Sequence, residues 1–259
     1  MAPRPQLAAL AALAALTITG CGEEGGTGPP AGPGEVGGTV TVFAAASLTQ
    51  PFTRIAGEFE TANPGTTVVL NFAASSTLAQ QINEGAPVDV FAAADPLPMQ
   101  QIADAGVNGV DPVPFVLNTL VIAVPAGNPL GIAGLADLTR SGISVAVCAE
   151  QVPCGRAAVA ALADAGVELV PATFERDVLA ALAKLELGEV DAALVYRTDV
   201  QATPSLAAVE FPEAERAVNE YPISVLDDAA NPATAAAFVD YVRSGAGMAV
   251  LTGAGFERA

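Results

Sequence analysis

From residue 39 to the C-terminus, short apolar runs alternate with helical stripes, and that alternation leaves an α/β fold with largely parallel sheets as the expected architecture. Strands are expected at 40–44, 67–72, 88–92, 120–124, 143–147, 190–195 and 223–225, and helices at 49–59, 77–83, 99–105, 156–165, 177–187 and 234–243. The first helix shows the logic. Phe52, Ile55, Ala56 and Phe59 form a stripe at helical spacing, Pro51 fits its first turn, and Asn63-Pro64-Gly65 stops it. With 259 residues and 52% apolar side chains the chain can bury two modest cores. Two lobes are expected, one from 39–118 plus 222–259 and the other from 119–221, with the chain crossing at 115–124 and 221–226. Ligands in such a fold sit in the cleft where strand ends and helix N-termini converge.

The N-terminus carries Arg4, an apolar Ala/Leu run over 7–16, and the tetrapeptide Ile18-Thr19-Gly20-Cys21. The run is too short for a transmembrane helix. The tetrapeptide resembles the lipobox of bacterial lipoproteins, which implies a signal peptide over 1–20 and a lipid on Cys21; an ordinary secretory signal is the alternative. Residues 21–38 are rich in glycine and proline, with Glu23, Glu24 and Glu35 their only charges, so they read as a flexible tether. The expected location is outside the cytoplasm, on the outer face of the bacterial cell membrane.

The formal net charge is −18, from 10 basic and 28 acidic residues. This argues against nucleic acid or an anionic lipid surface as partner. An anionic ligand would have to be held by local dipoles. Two tracts offer them. Val42-Phe43-Ala44-Ala45-Ala46-Ser47-Leu48 and Asn71-Phe72-Ala73-Ala74-Ser75-Ser76-Thr77-Leu78 each read as a strand running into a helix and ending in serine. Hydroxyls and free backbone N–H groups would gather there. A serine at a helix start is commonly just an N-cap, but two such sites, both set among alanines that let a ligand reach the backbone, point to binding.

These tracts, followed by Gly85-Ala86-Pro87-Val88-Asp89-Val90-Phe91-Ala92-Ala93-Ala94-Asp95, resemble in order and spacing the periplasmic molybdate-binding proteins of ABC importers. The likeness runs from residue 39 to the end. It implies a type II periplasmic-binding-protein fold whose two lobes close on molybdate or tungstate, and delivery of that oxyanion to a membrane permease and its ATPase by a monomeric carrier. Family ligand contacts fall on Ser47 and Ser75, on the backbone N–H groups of Cys154 and Val178, and on the Tyr196 hydroxyl. Residue chemistry agrees: Gly155 and Asp177 mark helix starts, where amides are unsatisfied and the dipole end is positive. A dianion without a proton requires only donors. No cofactor and no metal cation is expected.

With Cys21 assigned to lipid, Cys148 and Cys154 remain, bracketing the second-lobe anion loop. A disulfide is expected in an oxidising compartment, two buried thiols being the alternative. Two other functions were weighed. The same fold could hold sulfate or phosphate; a site for hydrogen phosphate needs an acceptor, and Glu150 and Asp177 are near enough in sequence to provide one. A secreted hydrolase using Ser47 or Ser75 would need a general base, yet the chain has no histidine and Lys184 is its only lysine. An enzyme is therefore not expected. A ferric-ion site would want more tyrosines than Tyr196, Tyr221 and Tyr241.

Overall fold

A computed structural model describes residues 35–107 and 112–259; the leader, Cys21 and most of the tether lie outside the described residues. The strands are β1 (Gly38–Ala45), β2 (Thr66–Ala73), β3 (Val90–Ala92), β4 (Val113–Asn118), β5 (Leu120–Pro125), β6 (Val145–Cys148), β7 (Thr173–Glu175), β8 (Ala192–Tyr196), β9 (Leu206–Val209), β10 (Asn219–Val225) and β11 (Glu257–Arg258). The helices are α1 (Thr49–Ala62), α2 (Ser75–Asn83), α3 (Pro96–Asp104), α4 (Pro153–Ala165), α5 (Val178–Glu186), α6 (Arg197–Gln201), α7 (Pro232–Arg243) and α8 (Gly245–Gly253).

These elements build two sheets, ordered β11-β4-β10-β3-β1-β2 and β7-β6-β8-β5-β9. Both sheets are mixed where mainly parallel ones were expected. In the first, β1 runs parallel to β2 and β3, whereas β10 opposes β3 and β4, and β11 opposes β4. In the second, β6 runs parallel to β7 and β8, whereas β5 opposes β8 and β9. The cause is connectivity. Strands joined through a helix return in the same direction, but β5 and β10 are entered as the chain passes from one sheet to the other, and no crossover helix reverses them.

The first passage is abrupt: β4 ends at Asn118 and β5 begins at Leu120, with Thr119 between them. The second runs through 210–218. Segment 221–226, expected as that crossing, falls largely within β10, and Tyr221 already pairs with Val116 of β4.

Each sheet has its own core. On the first, Phe52 and Phe59 of α1 meet Phe238 of α7 edge to face at 6.1 and 5.4 Å, and Phe115 of β4 completes the group. The second core joins β5, β6 and β8 to α4 and α5, and Ala46 and Ala74 from the first lobe pack into it. Buried Asp89 ties the first lobe together, accepting from the backbone N–H groups of Thr41 (2.7 Å) and Asn231 (3.1 Å).

Helix α8 is glycine-rich and carries no helical stripe. It forms because it packs tightly against α7. A Cβ on Gly247 would fall 2.3 Å from the Val242 carbonyl oxygen and 2.4 Å from that of Tyr241. Gly247→Ala is therefore expected to lower unfolding stability by ~1–3 kcal/mol, the usual cost of forcing an atom into a filled space, measured by urea denaturation followed by circular dichroism.

Candidate oxyanion site

Four chain segments start helices at one point between the sheets. Small residues end β1, and the chain turns through Ala46-Ser47-Leu48 into α1. β2 ends at Ala73, and α2 begins two residues later at Ser75. From the second lobe come Pro153-Cys154 at the start of α4 and Val178 at the start of α5, the latter capped by Asp177, whose Oδ1 accepts from the Ala180 N–H at 2.8 Å. Amides in a first helical turn have no acceptor within their own helix, and each turn is the positive end of its dipole.

Between these helix starts lies a narrow cavity of about 10 Å³, lined by Ser47, Ser75, Cys154, Val178, Tyr196 and Asp177 together with Ala45, Ala46, Ala74, Ala94 and Pro153. All five residues singled out as oxyanion contacts thus reach one place, although they come from both lobes. All five are buried, Ser75 completely. No lysine or arginine lines the cavity. Ser76, the second serine of its tract, lines the cleft mouth instead, with Gln151 and Arg176.

Hydrogen bonding sets the Ser75 hydroxyl as a donor and leaves the Ser47 hydroxyl able to act as one. Ser75 Oγ accepts from the Ala94 N–H at 2.9 Å, which leaves its proton free. Ser47 Oγ lies 2.9 Å from Tyr221 Oη. Asn118 Nδ2 donates to Tyr221 Oη at 3.4 Å, and Asn118 Oδ1 is held by the Thr119 N–H at 3.0 Å, which fixes the orientation of the amide. Either hydroxyl of the Ser47–Tyr221 pair can donate, so the Ser47 proton is available to an occupant of the cavity when Tyr221 donates to Ser47. Tyr196 Oη is buried with no hydrogen-bond partner. Its neighbour Tyr221, with ring centroids 6.1 Å apart, is committed to Ser47 and Asn118. Burial above all, then the electrostatic influence of Tyr221, Asp95 and Asp199 and a weak interaction of the hydroxyl with that of Tyr221, too poorly aligned to count as a full hydrogen bond, push the Tyr196 hydroxyl well above its ordinary pKa, so it stays protonated. A buried hydroxyl without a full hydrogen bond is costly, and this one belongs to a residue that lines the cavity.

Of the two acids weighed as proton acceptors, Glu150 is exposed and lies off the cavity wall. Asp177 lines the cavity, but Oδ1 is spent on its helix cap. Cys148 at the end of β6 and Cys154 form a disulfide with Cα atoms 5.7 Å apart. The intervening loop folds back tightly, because a Cβ on Gly155 would fall 1.9 Å from the Ala149 carbonyl oxygen. Sequence reasoning missed Tyr221 and Asn118. Tyr221 is 174 residues from the serine to which it is hydrogen-bonded, and no local pattern marks that pairing.

The model of the bacterial extracellular solute-binding proteins matches residues 40–257. This chain belongs to that family. A relative from Mycobacterium tuberculosis, named molybdate-binding protein ModA, is 42% identical over 242 residues, which is 93% of each chain. Among solved structures, the substrate-binding domain of a molybdenum ABC transporter from Clostridium difficile, itself described as putative, superposes with a TM-score of 0.66 at 26% identity, over 86% of this chain and 99% of that one. The sulfate-binding protein SubI of M. tuberculosis gives a TM-score of 0.74 at 19% identity, over 85% and 87%, a likeness of fold alone. Among the described residues of this solute-binding protein, no helix is long and apolar enough to cross a membrane, and no group of three or more His, Cys, Asp or Glu could hold a metal ion.

Asp199 lies behind the site. Its Oδ2 accepts from the Tyr196 N–H at 3.1 Å, and burial, aided by the charge of Asp177, pushes its carboxyl up to about 7 against the pull of that hydrogen bond. Because its folded pKa exceeds the unfolded value of 3.8, the folded state holds this proton more tightly. The stabilisation is complete below about pH 4 and is lost as pH rises through about 7. Wild type should therefore lose stability relative to Asp199→Asn over that window, by on the order of a few kcal/mol, in urea titrations of both proteins at pH 5, 6, 7 and 8.

Proposed function

We propose that this solute-binding protein captures molybdate, and tungstate alike, in the cavity between its lobes, and releases it to an ABC permease powered by an attached ATPase. Convergence carries the reading: Ser47, Ser75, Tyr196, Cys154 and Val178, whose hydroxyls and amides are the proposed donors, all line one cavity that has no lysine or arginine in its wall. A tetrahedral dianion with four acceptor oxygens complements such a set. The Ser75 proton is already freed by the bond that its oxygen accepts from Ala94, which lowers the cost of orienting that donor on binding. The relative named for molybdate shares 42% of its residues with this chain, a closer likeness than the sulfate-binding neighbour provides.

The protein acts as a carrier and not as an enzyme. Its serines offer protons to a ligand, and no histidine stands ready to remove them. No cofactor is required. Cys21 would carry the lipid that holds the monomer at the outer face of the membrane, with 22–38 as the tether.

Calorimetric titration of anion-stripped protein with molybdate, tungstate, sulfate and phosphate tests the ligand. Tight binding of the first two alone is expected, and preference for sulfate or phosphate would overturn the assignment. Ser47→Ala and Ser75→Ala should each weaken molybdate binding by ~1–3 kcal/mol with the fold intact by circular dichroism; unchanged affinity in both would remove the site.

A further inference from the structure

One guanidinium crosses the cleft. Arg156, in the second turn of α4, places Nε and Nη2 at 2.8 and 2.6 Å from Asp95 Oδ2, and Asp95 belongs to the other lobe. Its remaining nitrogen, Nη1, donates to the Gln151 carbonyl in the loop before Cys154. Asp95 is the N-cap of α3, with Oδ1 accepting from the Leu97 N–H at 3.0 Å. It directly follows Ala94, whose N–H holds Ser75 Oγ and whose carbonyl accepts from Asn219 Nδ2 at 2.8 Å. A continuous path of bonds therefore runs from the second-lobe anion loop, through Arg156 and Asp95, to the serine of the first lobe. The pair is sheltered, its side chains 26% and 13% exposed, whereas a second ion pair that joins the lobes among the described residues, Arg197–Glu257, is 36% and 61% exposed.

We propose that Arg156 and Asp95 form a clasp that holds the lobes shut over the bound oxyanion, with Arg156 as a positioning residue for the 149–154 loop. The proposal rests on the oxyanion reading of the cavity. Because its halves come from different lobes, the clasp forms only as the cleft closes. It acts on how long the ligand stays and not on how fast it arrives. The two halves are also unequal. Removing Arg156 leaves Asp95 as an unpaired carboxylate near a dianion, whereas removing the Asp95 charge leaves a cation there, which is tolerable to an anion.

The test is stopped-flow and calorimetric measurement of molybdate binding to the full chain, for wild type, Arg156→Gln, Asp95→Asn, the double variant, Glu257→Gln as the exposed-pair control and Ser75→Ala as the site control. Arg156→Gln should speed dissociation by ~10- to 100-fold and Asp95→Asn by ~3- to 10-fold, with association within about twofold of wild type. The double variant should resemble Asp95→Asn, and Glu257→Gln should match wild type. Dissociation from Arg156→Gln at the wild-type rate would overturn the clasp. So would Asp95→Asn binding as tightly as wild type or tighter, since Arg156 would then act on the anion by charge alone. Arg156→Lys, which keeps the charge but not the fork, should fall between wild type and Arg156→Gln, and it supplies the test should Arg156→Gln fail to fold. Ser75→Ala separates the two failures: if it weakens binding while the clasp variants do not, only the clasp is lost, and if it too binds as wild type does, the oxyanion reading of the cavity is lost.

Discussion

A dianion taken out of water must recover its solvation from groups that donate and do not accept. That requirement organises the whole chain. Side-chain cations could meet it only by drawing on ten basic residues in a protein of net charge −18. Helix starts meet it without any. Their amides lack acceptors by geometry, and their dipoles carry partial positive charge that cannot be titrated away. The price is architectural: helix starts from two separate sheets have to be brought to one point. The double passage of the chain between the sheets, and the mixed strand directions that result, follow from that demand.

Orientation is the second layer. A hydroxyl can give or accept, and a site of serines and tyrosines would be indifferent to protonated and unprotonated ligands unless something sets its polarity. Ala94 does so for Ser75, occupying an acceptor lone pair and leaving a proton for the cavity, while Ser47 keeps both roles open beside Tyr221. Tyr196 is polarised differently, by burial that holds its proton in place. Two of the three hydroxyls are thus set as donors before any ligand arrives.

Much of this could be read from the chain and some of it could not. β1, α1 and the serine tracts are visible because their physics is local: strand alternation, a helical stripe, and side chains that themselves donate. Val178 is visible only through its neighbour, since Asp177 announces a helix start while the valine side chain says nothing about an amide. α8 escaped because it is held by close packing of Gly247 on α7 and carries no polar face. The direction of β10 escaped because it depends on which sheet the chain has just left. Tyr221, Asn118 and the pairing of Arg156 with Asp95 are contacts between residues far apart in sequence, and no spacing rule reaches across them.

Four of the residues around the cavity are alanines, Ala45, Ala46, Ala74 and Ala94, and they belong to the strand ends and helix starts that carry the donors. On that side the cavity is consequently bounded almost by main chain, and a substitution there can only make it smaller, by adding a methyl or hydroxyl to the wall. Side chain that could be removed lies opposite, in Tyr196, Val178 and Pro153. The two lobes therefore divide the tuning of ligand size: the first can only tighten the space, and enlargement has to come from the second.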